Sequence, residues 1–195
     1  VGTDSVAVGW NALLLATTGV GNTAVGAAAL DATTIGNSNT AVGFGALGAN
    51  TTGDNNTAVG KDALLTATVG TGNVAVGTTA LDALTTGTNN TAVGLDALGA
   101  ATTDVNNVAV GKGALLSMTV GTGNVAVGNT AADALTTGTN NTAIGLDALG
   151  AETTGINNVA VGKGALLVQV AATGNTAVGT TAMDANTTGA NNVAV

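Results

Sequence analysis

An alanine recurs at one fixed interval through the whole chain, with no insertion or deletion between any two copies. There are twelve copies, at positions 7, 24, 41, 58, 75, 92, 109, 126, 143, 160, 177 and 194. A fixed period of this length is typical of a solenoid, in which one small unit stacks on copies of itself. Near-identical units leave no obvious place for a single active site, so the period favours a fibre over an enzyme.

Each 17-residue unit contains two short segments bounded by turn residues. The first reads Asn-(Thr/Val)-Ala-Val-Gly and, being β-branched between Asn and Gly, predicts a strand. The second, around Ala-Leu, is too short for a stable helix and is interpreted as a second strand. Glycine and asparagine would supply the positive φ angles that tight corners need. The prediction is an all-β parallel β-solenoid, or β-roll, of about eleven and a half 17-residue coils, spanning 1–195 as one unit.

Stacking would place each side chain about 4.8 Å from its counterpart in the next coil, so that like stacks on like. Asparagine side chains in register can pass amide hydrogen bonds along such a stack. The sequence therefore predicts a structural ladder of Asn22, Asn39, Asn56, Asn73, Asn90, Asn107, Asn124, Asn141, Asn158 and Asn175.

The alternation of a strand separates the valines from the alanines of the first segment. We expect the valine and leucine columns to fill the narrow interior. Alanine would then form a flat apolar surface that exceeds what a soluble monomer exposes. This interpretation predicts an association face made of Ala92, Ala97, Ala109, Ala114, Ala126 and Ala131. The competing interpretation places alanine inside a very thin roll and lets valine meet the neighbouring chain.

A longer period is superimposed on the first, since the three lysines, Lys61, Lys112 and Lys163, follow one another at intervals of three units. It is typical of a duplicated three-coil segment. A second hypothesis is one large triangular 51-residue turn, with one repeat unit on each side.

Composition excludes several functions. The chain has no His, Cys or Tyr, which removes imidazole, thiol and phenol chemistry, and we expect no catalytic residue and no enzyme activity. A net charge of −8 with three lysines is unsuited to nucleic acid. No apolar run is long enough to span a membrane. Neutral asparagine turns are weak calcium ligands, so neither a metal nor a cofactor is expected. The adjacent Thr-Thr pairs should point to opposite sides, which favours a hydroxyl ladder at a turn over an ice-binding array.

The repeat resembles the head repeats of trimeric autotransporter adhesins and the repeats of phage tail-fibre-like and bacterial surface proteins. The resemblance rests on Asn-Asn-Thr-Ala-Val-Gly at 89–94 with Ala97 and Leu98, and it extends over the whole chain. The coil is longer here than in the adhesins, by extra turn residues. The resemblance implies a left-handed parallel β-roll, a homotrimer, and an extracellular location on a cell or virion surface.

The expected function is a structural, self-associating rod segment of an extracellular fibre, part of a longer chain. The alternative is an adhesin head that binds a host receptor, glycan or matrix protein, and ice binding is a more remote one. Recognition should break the repeat at one place, and only Trp10 and Phe44 do so, where other coils have Lys or Leu.

Overall fold

A computed structural model describes residues 2–195 as a single parallel β-solenoid. Twelve strands of two or three residues lie in one sheet in chain order. They are β1 (Val6–Val8), β2 (Thr23–Val25), β3 (Thr40–Val42), β4 (Thr57–Val59), β5 (Val74–Val76), β6 (Thr91–Val93), β7 (Val108–Val110), β8 (Val125–Val127), β9 (Thr142–Ile144), β10 (Val159–Val161), β11 (Thr176–Val178) and β12 (Val193–Ala194).

Each strand pairs in parallel with the strand of the next repeat unit, alanine opposite alanine, as Ala92 is opposite Ala109. One coil is therefore a single 17-residue unit, and the hypothesis of a triangular turn made of three units is wrong. A coil is named below by its strand.

The Ala-Leu segment is not a second strand. In the β6 coil Asp96 and Leu98 have φ angles of 55° and 51°, with Ala97 between them. The N–H of Asp96 donates to Thr78 O of the preceding coil, and that of Leu98 donates to Ala114 O of the following coil. Left-handed residues at alternate positions thus point successive N–H groups in opposite directions along the stack. Because this is not strand geometry, Ala97 and Leu98 both face the interior.

Glycine is required where the strand ends, in the column that runs from Gly9 to Gly179. Gly94 has a φ of +141°, and a Cβ placed on it would lie 2.5 Å from Gly111 O of the next coil. The corner therefore needs both the conformational freedom and the missing side chain of glycine. The prediction of positive φ at glycine corners is confirmed here, but the sequence did not predict that leucine adopts it too.

A third stretch of each coil carries single-residue β-bridges. They join Thr71, Thr88, Val105, Thr122, Thr139, Ile156 and Thr173 in successive coils. The coil thus has one short strand, one left-handed turn and one bridged stretch around a narrow interior.

The interior is filled by four columns. Three are the alanines of the strands, the alanines that begin with Ala12, and the leucines that begin with Leu13. The fourth runs from Ala16 to Asn186, one residue per coil, and varies in residue type; we call it the inner variable column. Only small side chains fit in three-residue strands that face such a thin core, which explains the alanine in every strand.

Candidate functional site

The asparagine ladder is continuous and buried. The backbone N–H of Asn90 donates to Asn73 Oδ1 at 3.0 Å, and its Nδ2 donates to the same oxygen at 3.1 Å and to Asp104 O at 2.7 Å. The backbone link recurs at every predicted member from Asn39 to Asn175, and at Asn22 the acceptor is Ser5 Oγ. All ten predicted asparagines are buried. The ladder thus satisfies backbone groups at a corner that water does not reach.

The predicted association face is wrong as a surface. In the single chain every one of its residues is fully buried: Ala92, Ala97, Ala109, Ala114, Ala126 and Ala131. The strands do alternate as predicted, but the smaller side chain points inward. The physical reason is the space at the strand, since the leucine column already fills much of the thin interior and leaves room there for a methyl group and not for an isopropyl group.

The valines of the strands lie outside instead, where the sequence predicted a filled interior. Val93, Val127 and Ile144 are 36 %, 37 % and 39 % exposed in the described chain. The threonines and valines two residues before them are half-buried and share the same outer side of the sheet. We call this pair of columns, from Val6/Val8 to Thr176/Val178, the valine face. No charged residue occurs in it.

The bridged stretch forms a second regular outer surface. Thr85 Oγ1 donates to Thr102 O at 2.9 Å, one step of the hydroxyl ladder that the Thr-Thr pairs predicted. The second threonine of the pair, Thr86, is exposed, and Thr88 is half-exposed, with the buried Gly87 between them. Both threonines are thus at least partly exposed, one on each side of the glycine. The same Thr-Gly-Thr spacing recurs at 137–139, and the adjacent Thr-Thr pairs did not predict it.

A buried polar pair interrupts the inner variable column near its C-terminal end. Glu152 Oε1 accepts backbone N–H groups of Thr154, Gly155 and Ala171, and Glu152 Oε2 accepts Gln169 Nε2 at 2.9 Å. Every oxygen is satisfied, so this carboxylate has a structural role. The sequence signal was available: most other coils have Ala, Leu or Met in this column.

Asp104 is a second buried acid, in a column that is otherwise mostly glycine. Its Oδ1 accepts the N–H of Gly121, while Oδ2 has no hydrogen-bond partner. Burial raises the pKa of Asp104 from 3.8 to about 6, although the hydrogen bond from Gly121 opposes the shift.

The aspartates lie in two different columns of the repeat, and in the structure both columns run along the left-handed turn. Burial raises the pKa of Asp82, and the carboxylate of Asp96 in the next coil raises it further. Asp133 has the same relationship to Asp147. Such pairs repel one another, so they blunt lateral contact along this edge.

One pocket of about 470 Å³ opens on the same turn, in the β2, β3 and β4 coils. It is lined by Ala28, Asp31, Ala32, Phe44, Gly45, Gly48, Ala49, Asp62, Leu65 and Thr66. Phe44 is one of the two residues that the sequence singled out for breaking the repeat. The other, Trp10, is 75 % exposed and lies outside the pocket.

No set of three or more acidic residues within 2–195 is arranged to hold a metal ion. The same part of the chain contains no helix of the length and hydrophobicity needed to cross a membrane. No protein-family model matches the chain, and no curated protein or solved structure shows significant similarity to it.

Proposed function

We propose that the chain is a structural rod segment of an extracellular fibre, and that it associates with copies of itself through the valine face. The observation that carries this proposal is the valine face itself, a surface without charge that runs the length of the solenoid.

The size of this surface supports a partner. The eleven residue pairs of the valine face, about 4.8 Å apart, make a strip roughly 50 Å long, and the two columns give it an area on the order of 500 Å². A contiguous uncharged patch of that size is at the upper end of what a soluble monomer exposes, and such patches are often functional. Valine and threonine lose little side-chain entropy on burial, so a flat, regular strip of them suits contact with an identical strip.

The resemblance to trimeric surface fibres suggests three copies around one axis. Each copy would present its valine face to the other two, and the acidic turns would stay in solvent. This homotrimer replaces the alanine-mediated assembly that the sequence predicted. A cell or virion surface is the location that such a fibre would have.

Sedimentation of matched variants tests the proposal. Val93→Lys with Val127→Lys places two charges on the valine face. Leu95→Lys with Leu146→Lys adds the same charges to an exposed column that already contains Lys61, Lys112 and Lys163. We expect three times the chain mass for the wild type and the control, and one chain mass for the valine variant. A monomeric wild type, or equal behaviour of the two variants, would contradict the proposal.

Ice binding is a second candidate, because two Thr-Gly-Thr segments place partly exposed threonines two residues apart, the spacing that such surfaces require. The pairs are complete in two coils, Thr86/Thr88 and Thr137/Thr139. Thermal hysteresis of the wild type should then disappear in Thr86→Lys with Thr137→Lys and persist in Thr78→Lys, which changes an exposed residue outside these segments. Absence of hysteresis in the wild type would exclude this function.

A further inference from the structure

The pocket beside Phe44 exists because two glycines form its floor. Gly45 and Gly48 are both buried, in the turn of the β3 coil, and neither has a side chain to fill the space above it. Around them stand the apolar groups of Ala28, Ala49 and Leu65. The site is an open, mostly apolar depression, and its volume is in the range of sites that bind small ligands.

Two carboxylates overhang this floor from opposite sides. A Cβ placed on Gly45 would lie 2.6 Å from Asp62 Oδ1, and one placed on Gly48 would lie 3.5 Å from Asp31 Oδ1. The β2 coil supplies Asp31 and the β4 coil supplies Asp62. Both oxygens therefore lie over the glycine pair of the coil between them.

Only part of this negative charge is compensated. Lys61 Nζ contacts Asp62 Oδ2 at 3.1 Å, the oxygen that does not overhang Gly45. The lysine side chain is 63 % exposed and does not line the pocket. Asp31 forms no ion pair among residues 2–195. Thus no positive charge of the described chain enters the pocket.

Phe44, Gly45 and Asp62 occur together only once, although the three-coil period contains the equivalent positions three times. In the corresponding coils three units later, Leu95, Asp96 and Gly113 replace Phe44, Gly45 and Asp62. There the floor has an aspartate where the pocket has glycine, and the acid from the following coil is absent. Each of the three differences contributes to the pocket, because Gly45 opens the space and Phe44 and Asp62 line it.

We propose that this pocket binds an organic ammonium ion with an apolar body, of about the size of a lysine side chain or of phenethylammonium. The apolar walls would hold the body, and Asp31 and Asp62 would attract the ammonium group. The Phe44 ring, which lines the pocket and is 58 % exposed, would be available for a cation–π contact. Two carboxylates without a third ligand do not make a calcium site, and an anion would be repelled.

This site is independent of the proposed fibre assembly. No residue of the valine face lines the pocket, so the chain can bind such a cation whether it is monomeric or associated. In an assembled fibre the pocket would give each copy one point of recognition on a repetitive surface.

Titration followed by ¹H–¹⁵N NMR at the Gly45 and Gly48 amides tests the proposal with three probes of one shape. Phenethylammonium, 2-phenylethanol and 3-phenylpropionate are cationic, neutral and anionic. We expect saturable shifts with the cation and about tenfold weaker binding of the neutral probe, the loss of one charge-assisted interaction. A titration with N-acetyl-lysine methylamide distinguishes a partner's lysine side chain from a free amine as the source of the cation.

A variant that copies the equivalent coils of the same chain tests whether the pocket residues are responsible for binding. Phe44→Leu with Gly45→Asp and Asp62→Gly installs the residues that the chain already folds with at 95, 96 and 113, and leaves the net charge unchanged. Binding should be lost in this variant and be unaffected in Asp133→Asn, which removes the residue that occupies the Asp31 column in the β8 coil, away from the pocket. Equal binding of the neutral and cationic probes, or undiminished binding by the triple variant, would overturn the proposal.

Discussion

Asp104 Oδ1 accepts a hydrogen bond from the backbone N–H of Gly121, the residue that occupies the same column one coil later. The carboxylate lies in the buried position that glycine fills in most coils, and its second oxygen is unpaired. An ionised carboxyl there has lost its water without gaining enough partners, which is why its pKa rises.

The stability of the rod should therefore fall as the pH rises through the titration range of Asp104. Its pKa is about 6 in the folded chain against 3.8 as the ordinary value, so the folded state holds a proton that the unfolded chain releases. The loss begins near the unfolded pKa and is complete above about pH 6. The difference between the two pKa values corresponds to on the order of 3 kcal/mol.

Denaturant unfolding of Asp104→Asn from pH 3.5 to 7.5 checks this expectation. Asparagine keeps an acceptor for Gly121 but does not ionise, so the pH dependence should flatten and stability at pH 7 should increase. Asp184→Asn changes an exposed acid and should retain the wild-type profile. A flat wild-type profile over this range would show that Asp104 stays ionised in the fold.

Removal of one rung of the asparagine ladder should cost about 1–3 kcal/mol. Asn107→Ala leaves the buried N–H of Asn124 without an acceptor and removes one of the two donors to Gly121 O, the other being the N–H of Val105. Asn129→Ala is the control, because that side chain is exposed and outside the ladder. Thermal or chemical unfolding measures both. If Asn107→Ala melts with the wild type, the asparagine column is only a turn preference.

Adjacent residues on one strand should separate folding from assembly. Ala109 is fully buried and Val110 lies on the valine face. Ala109→Glu puts an unpaired charge into the core and should destabilise its coil by several kcal/mol. Val110→Glu should preserve the circular dichroism spectrum and reduce the sedimenting mass. The reverse pattern would restore the alanine face as the contact between chains.

A left-handed residue at the turn offers a stabilising change. Thr181 is β-branched, has a φ of 54° and is exposed, whereas Gly164 occupies the same column one coil earlier. Thr181→Gly should gain about 1 kcal/mol by removing the clash of Cβ in this conformation. Thr180→Gly, beside it and without positive φ, should gain nothing. Hydrogen exchange of the amides in the last full coil resolves these local differences.

The sequence predicted the coil length, the strand position and the asparagine ladder, because each depends on a constant column. It predicted the alternation of the strand but assigned the two sides wrongly. Hydrophobicity favours Val93 over Ala92 for the interior, whereas the width that the buried leucine column leaves beside the strand admits only the smaller side chain. That width is a property of the closed coil and cannot be inferred from any single column of the repeat.

The left-handed turn and the pocket could not be predicted from the sequence for a different reason. Leu98 adopts a conformation that leucine disfavours, and backbone hydrogen bonds to both neighbouring coils hold it there. Asp31 and Asp62 are 31 positions apart in sequence, and only the stacking of coils brings them over one floor. Phe44 is the available signal, since it is the pocket residue that breaks the repeat in the sequence.

Near-identical coils can stack in more than one register. If one coil looped out, the coils on either side of it would still match alanine to alanine, asparagine to asparagine and glycine to glycine. The polar pair of the inner variable column removes this degeneracy at one place. With the Gln169 coil looped out, Glu152 would lose the amide hydrogen bond that its Oε2 accepts, and the N–H of Ala171 would leave its Oε1. Because these buried polar groups fit only their own neighbours, the in-sequence stack is lower in free energy than a stack that skips the Gln169 coil.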